Sequence, residues 1–132
     1  MSLEINEKEL ASVTSLEGRK RYSYFIKRVA DFEEVWSLAG AEGRWCLAAE
    51  PDGGEVVPVW PARRYAEVCA AGEWADSEPK SINLDLWLER WTPGMIRDGR
   101  RVTVFPTPGA RGVVVDPARL ADDLAVELRL YE

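Results

Sequence analysis

No histidine occurs anywhere in the 132 residues. That absence removes Ser–His–Asp and Cys–His nucleophilic sites, imidazole proton transfer near neutral pH, and most zinc or non-haem iron sites. Cysteine is almost as scarce. Cys46 and Cys69 stand alone, without the CxxC spacing of a zinc or redox site. Two such cysteines do not make a disulfide framework, so reduced thiols and a cytoplasmic location are expected. No apolar run approaches the roughly 20 residues that span a bilayer, so a membrane is not expected as partner. The opening stretch, MSLEINEKEL, is acidic and lacks the apolar middle of a signal peptide.

Phosphate chemistry has little support either. PDGGE and TPGARG are turn sequences without the helix and lysine that a phosphate loop requires. The net charge is −6, whereas nucleic acid needs a basic field, so nucleic acid is not an expected partner. One basic cluster, Gly18–Arg21 (GRKR), fans around a helix axis and reads as a solvated first turn. No loop spaces carboxylates as a calcium site does, so neither metal nor cofactor is expected, and no catalytic residue is assigned.

What is present is a globular composition. Hydrophobic residues make up 46% and charged residues 30%, enough for one core without disulfides or metals. Asn6–Glu9 (NEKE) is a capping box, with Ile5 and Leu10 in the staple positions. A helix over Glu17–Ala30 places Tyr22, Phe25, Ile26 and Val29 on one face. DFEEVWSLAG then continues that helix with a bend or starts a short new one, ending at Gly40 and Gly43.

The period changes in the centre. Arg44–Glu50 and Glu55–Trp60 are short apolar runs around PDGG, the pattern of a hairpin. Pro58 removes a ladder donor and marks an edge or a bulge. Pro61 suits the first position of a helix that buries Tyr65, Val68 and Cys69 and stops at Gly72. SEPKSI is extended, and Asn83 caps a helix with Leu84, Trp87, Leu88 and Trp91 on one face, broken or loosened at Pro93-Gly94. Val102–Phe105 and Gly112–Val115 form a second hairpin. Asp116-Pro117 opens the closing helix, whose stripe is Leu120, Leu124, Leu128 and Tyr131. The expected fold is α+β, a single domain over residues 1–132: amino-terminal helices, then a small mixed sheet from two hairpins with helices packed against it.

Four segments carry a family resemblance: RYSYFIKRVADFEEVWSL, VVPVWP, YAEVCAAGEWADSEPKSINLDLWLERWTPGM and VTVFPTP…GVVVDPARLADDL. From Arg21 to Leu124 the chain resembles the uncharacterised bacterial family catalogued as domain of unknown function 2750. That resemblance implies no activity. A looser pattern, PVW…VFPTP…GVVVDP, is similar to the amino-terminal domain of the enhanced-serine-sensitivity proteins and implies only a compact α+β fold.

Six tryptophans remain to be sorted. Trp87 and Trp91 share a face with Leu84 and Leu88, and Trp36 and Trp45 flank element ends, so these four read as core filling. Trp60 and Trp74 sit at element boundaries beside charged residues, as interface anchors do. With Arg63, Arg64, Asp76 and Lys80 they form the candidate binding surface, in the segment Trp60–Ser81. Arg63 and Arg64 also have local partners within reach in Glu67 and Asp76. The sequence thus favours a non-enzymatic protein-binding or regulatory module, with a protein partner or a homo-oligomer. A hydrolase or transferase using the acidic loop Glu73–Glu78 with Arg63 and Arg64 is the alternative, and a structural homo-oligomer subunit is a second. One prediction follows from the missing ligands: the melting temperature is the same with and without a chelator. A drop of many degrees on chelation would contradict it.

Overall fold

The computed structural model describes residues 2–131, and of Tyr131 only the backbone. Helix α1 (Glu7–Thr14) starts where Asn6 Oδ1 accepts from Glu9 N at 2.8 Å. Only that half of the capping box forms, because the Glu9 carboxylate turns away to accept from Tyr24 Oη at 2.7 Å. Tyr24 lies on α2 (Gly18–Phe32), and its hydroxyl meets that of Tyr65 at 2.9 Å. Two aromatic hydroxyls and one carboxylate therefore tie three helices together.

Helix α2 ends at Glu33, in the left-handed region at φ 58°. The chain then becomes a strand, β1 (Glu34–Ala39), where DFEEVWSLAG suggested helix. Val35, Trp36, Ser37, Leu38 and Ala39 are all buried. A strand covered on both faces has no polar–apolar alternation, so its period cannot distinguish it from a short helix. β1 pairs antiparallel with β4 (Glu78–Asn83), from Glu34 opposite Asn83 to Ala39 opposite Glu78.

The two hairpins do join into one mixed sheet. Its strands are β2 (Ala48–Ala49), β3 (Glu55–Val59), β5 (Arg101–Val104) and β6 (Val113–Val115), in the order β2-β3-β5-β6. β3 and β5 run parallel, and the outer pairs are antiparallel. Pro58 sits inside this sheet rather than at an edge. Val59 O accepts from Phe105 N at 2.9 Å, so the nitrogen of the preceding residue faces away from β5. On that side β2 has already ended at Ala48, and Ser37 Oγ donates to Pro58 O at 2.6 Å. The missing N–H breaks no ladder bond. The small sheet joins the larger one at Trp36 and Trp60, whose backbones exchange hydrogen bonds of 2.9 and 2.8 Å.

Helix α3 (Arg63–Glu67) begins two residues after Pro61 and buries Tyr65 and Ala66, while Val68 and Cys69 are half-buried. Asn83 caps the next helix as expected, accepting from Asp85 N at 2.9 Å. Pro93-Gly94 does not break it. α4 (Leu84–Leu86) passes through a π turn (Trp87–Trp91) directly into α5 (Thr92–Asp98), which ends at Gly99 with φ 70°. The wide turn absorbs the proline ring and its missing donor, and Thr92 Oγ1 adds a bond to Trp87 O at 3.0 Å. Helix α6 (Pro117–Leu128) packs on α2 and α5, with Leu120 and Leu124 fully buried and Leu128 half-buried. Asp116 makes no side-chain cap bond. The Tyr131 side chain lies outside the described residues.

Arg21 corrects the reading of GRKR. Arg19 and Lys20 are exposed, but Arg21 is 2% exposed and turned inward. It donates to Phe105 O at 3.0 Å, to Arg111 O at 2.9 Å and to Leu16 O. Two of these targets, Phe105 O and Arg111 O, belong to a strained connection. Phe105, fully buried, has φ 57°, a conformation that bulky side chains seldom adopt. Gly112 lies so close that a Cβ there would sit 2.5 Å from Thr103 Oγ1 and 2.7 Å from Val104 O. Arg21→Met leaves three carbonyls without their donor and should cost about 3 kcal/mol, read as a lowered denaturation midpoint. An unchanged midpoint would show that the guanidinium is dispensable.

Candidate functional site

After β1 the chain reverses through Gly40–Gly43, where Gly43 has φ 78°. Gly40 N bonds Arg44 O at 2.7 Å, Trp45 bridges Ala39, and Cys46 N bonds Leu38 O at 2.8 Å. This return lays Trp45 against the π turn. Its ring meets Trp91 edge-to-face, with centroids 4.7 Å apart and planes at 84°. Trp91 in turn stacks on Trp87, at 5.4 Å and 20°. Closing the turn over five residues brings Trp87 and Trp91 nearly one above the other, the inner ring fully buried and the outer half-buried.

The two half-buried rings floor a groove of about 500 Å³, together with Leu47, Val57 and Met95. Its rim is charged: Arg44, Arg90 and Arg100, with Asp98. Asp98 pairs with Arg97 and Arg100, each at 3.5 Å, and Arg100 also pairs with Glu55 at 3.3 Å. Arg44 and Arg90 have no ion-pair partner among the described residues. The arrangement is an aromatic floor beneath two unpaired guanidinium groups.

The surface expected from the segment Trp60–Ser81 is not one surface. Trp60 is fully buried, donating from Nε1 to Pro106 O at 2.8 Å, so it can touch no partner. Its backbone is fixed by the pair of hydrogen bonds with Trp36. Trp74 is half-buried and packs edge-on against Trp60 at 6.4 Å, beside a separate groove of about 210 Å³ that includes Arg111 and Gly112. Arg63 pairs with Glu67 at 3.9 Å and lies 6.0 Å from the Trp36 ring. Arg64 pairs with Glu7 rather than Asp76. These two arginines border a third groove with Leu3, Ile5 and Trp36. Asp76 and Lys80 are exposed and line neither groove. Glu73 and Glu78 are exposed too, so the acidic loop and the two arginines do not converge.

The residues missed by sequence reasoning are Trp45 and Trp91, taken there as filling. The usable signal was Pro93, two residues after Trp91: a proline inside a helical pattern demands either a break or a widened turn. Cys69 is a structural thiol. Its Sγ donates to Pro106 O at 3.4 Å, and burial pushes it up to about 11.

The fold is α+β, and the chain belongs to the family described as protein of unknown function (DUF2750), whose pattern matches residues 22–124. The groove lies within that stretch. Among solved structures, Anabaena Tic22 (protein transport) is similar at 14% identity and a TM-score of 0.40, over 65% of this chain and 47% of that chain. This chain thus spans about half of that structure's length. No curated protein matches. The looser likeness to enhanced-serine-sensitivity proteins has no counterpart among these matches. Among the described residues no helix is long and apolar enough to cross a membrane, and no three His, Cys, Asp or Glu side chains cluster to hold a metal ion.

Burial also raises Tyr24 and Tyr65, so Cys69 and these phenols all favour the protonated form in the fold. A raised folded value means that their stabilisation is complete at low pH and lost as pH rises. For Cys69 the loss runs from its ordinary 9.0 to about 11. Thermal stability, measured against pH, should fall through that window. Stability that rises through it would contradict the buried assignment.

Proposed function

We propose that the protein is a non-enzymatic binding module that holds a partner protein in the groove between Arg44–Leu47 and the α4–α5 helix. One observation carries this reading. Trp45 and Trp91 are braced against each other yet half-exposed, below Arg44 and Arg90, which have no partner of their own among the described residues. Tryptophan, arginine and methionine are the residues enriched in interface centres, and a braced ring loses little freedom on binding. The buried Trp87 stacked behind Trp91 keeps that ring fixed. A bacterial cytoplasmic setting suits the free thiols Cys46 and Cys69.

The carboxylate enzyme has less support, because Glu73, Asp76 and Glu78 share neither groove with Arg63, Arg64 or Trp74. A homo-oligomer is favoured by one feature: Leu86 and Ile96, on the same helix as the groove, are 47% and 54% exposed. Pull-down from the protein's own cells separates these readings. Trp91→Ala and Arg90→Glu, each checked for folding, should lose the partner by at least about tenfold, while Arg63→Ala/Arg64→Ala keeps it. Full capture by both folded groove variants would reject the groove as the docking face.

A further inference from the structure

We infer that the groove takes an acidic protein segment, which sets an apolar side chain on Trp45 and Trp91 and its carboxylates on Arg44 and Arg90. This rests on the binding-module reading and names the chemistry of the partner. The chain as a whole carries a charge of −6, yet the groove gathers three arginines against one carboxylate. Asp98 is already engaged by Arg97 and Arg100. Elsewhere Arg63 is met by Glu67, Arg64 by Glu7, Arg101 by Glu50 and Asp52, and Arg119 by Asp123, while Arg19, Arg28, Arg111 and Arg129 have no ion-pair partner among the described residues. The groove is set apart by bringing two such unpaired arginines, Arg44 and Arg90, to one aromatic floor.

A guanidinium is a planar fork of donors that matches a carboxylate with two parallel hydrogen bonds. Beside an apolar aromatic floor such a bond is less screened than one in open water. The floor itself rewards an apolar or aromatic side chain, which bare anions lack. A long polyanion is disfavoured, because the surrounding protein is acidic and would repel every charge outside the groove. A short acidic stretch around one apolar anchor satisfies both halves of the site.

The test uses the full chain and a terminally blocked peptide with one phenylalanine between pairs of glutamates, followed by tryptophan fluorescence. Two further peptides carry glutamine for glutamate, or serine for phenylalanine. Saturable binding of the first is expected, weakened by added salt and on the order of tenfold weaker for Arg44→Gln and for Arg90→Gln. The glutamine and serine peptides should bind on the order of tenfold more weakly, and Arg63→Gln should behave as wild type. Equal binding of the glutamate and glutamine peptides overturns the inference, as does unchanged binding by both groove arginine variants. Competition by a single-stranded oligonucleotide as effective as the peptide also overturns it, in favour of a nucleic acid. So does self-association, seen by sedimentation, that Arg90→Gln abolishes, because a second copy would then be the occupant. Loss of partner capture in folded Trp91→Ala, with no discrimination among peptides, rejects the acidic segment and leaves the binding module standing.

Discussion

Two backbone hydrogen bonds between Trp36 and Trp60 join the two sheets, and the rest of the arrangement depends on that joint. They fix the end of β3 beside the middle of β1. The Trp60 ring is thereby enclosed, with its indole nitrogen spent on Pro106 O, and Trp74 and Cys69 pack around it. β1 runs on from the joint into the Gly40–Gly43 reversal that returns Trp45 beside Ala39. β3 supplies Val57 to the groove floor. The returning side of the groove and part of its floor are thus positioned from the same pair of residues.

Two further constraints keep this frame in place. Arg21 supplies donors to the carbonyls of a connection that must accommodate Phe105 in a left-handed conformation and Gly112 in near-contact with β5. A buried guanidinium is costly, and here it is compensated by three bonds to backbone oxygens, the one to Phe105 O fully buried. The π turn before Pro93 is the second. It keeps the helix whole across a proline, and in doing so stacks Trp91 outside Trp87. One local backbone solution thereby supplies a half-exposed ring braced from behind.

Much of the fold was legible because it rests on local signals. The Asn6 and Asn83 caps, the PDGG and PTPGAR turns, and the Leu120–Leu124 stripe each carry their physics within a few residues. β1 was not legible, since a strand buried on both faces shows no period of two. Arg21 was hidden because an arginine in a basic run looks solvated until its distant carbonyl partners are known. The candidate residues of the segment Trp60–Ser81 separate for a related reason. Trp60 and Trp74 look exposed beside charged neighbours, but Trp60 is enclosed where the sheets join, and Trp74 is half-covered as it packs edge-on against it. Trp45 and Trp91 look like filling, and only a turn of unusual width brings one of them to the surface.

The protein is a small α+β frame, and its proposed binding surface is an aromatic pair topped by unpaired arginines. Hydrogen exchange of the chain in complex with its co-purified partner tests this most directly. The account predicts slowed exchange confined to residues 44–47 and 87–100, with residues 60–81 unchanged. Protection of residues 60–81, with the groove exchanging as in the free chain, would contradict it.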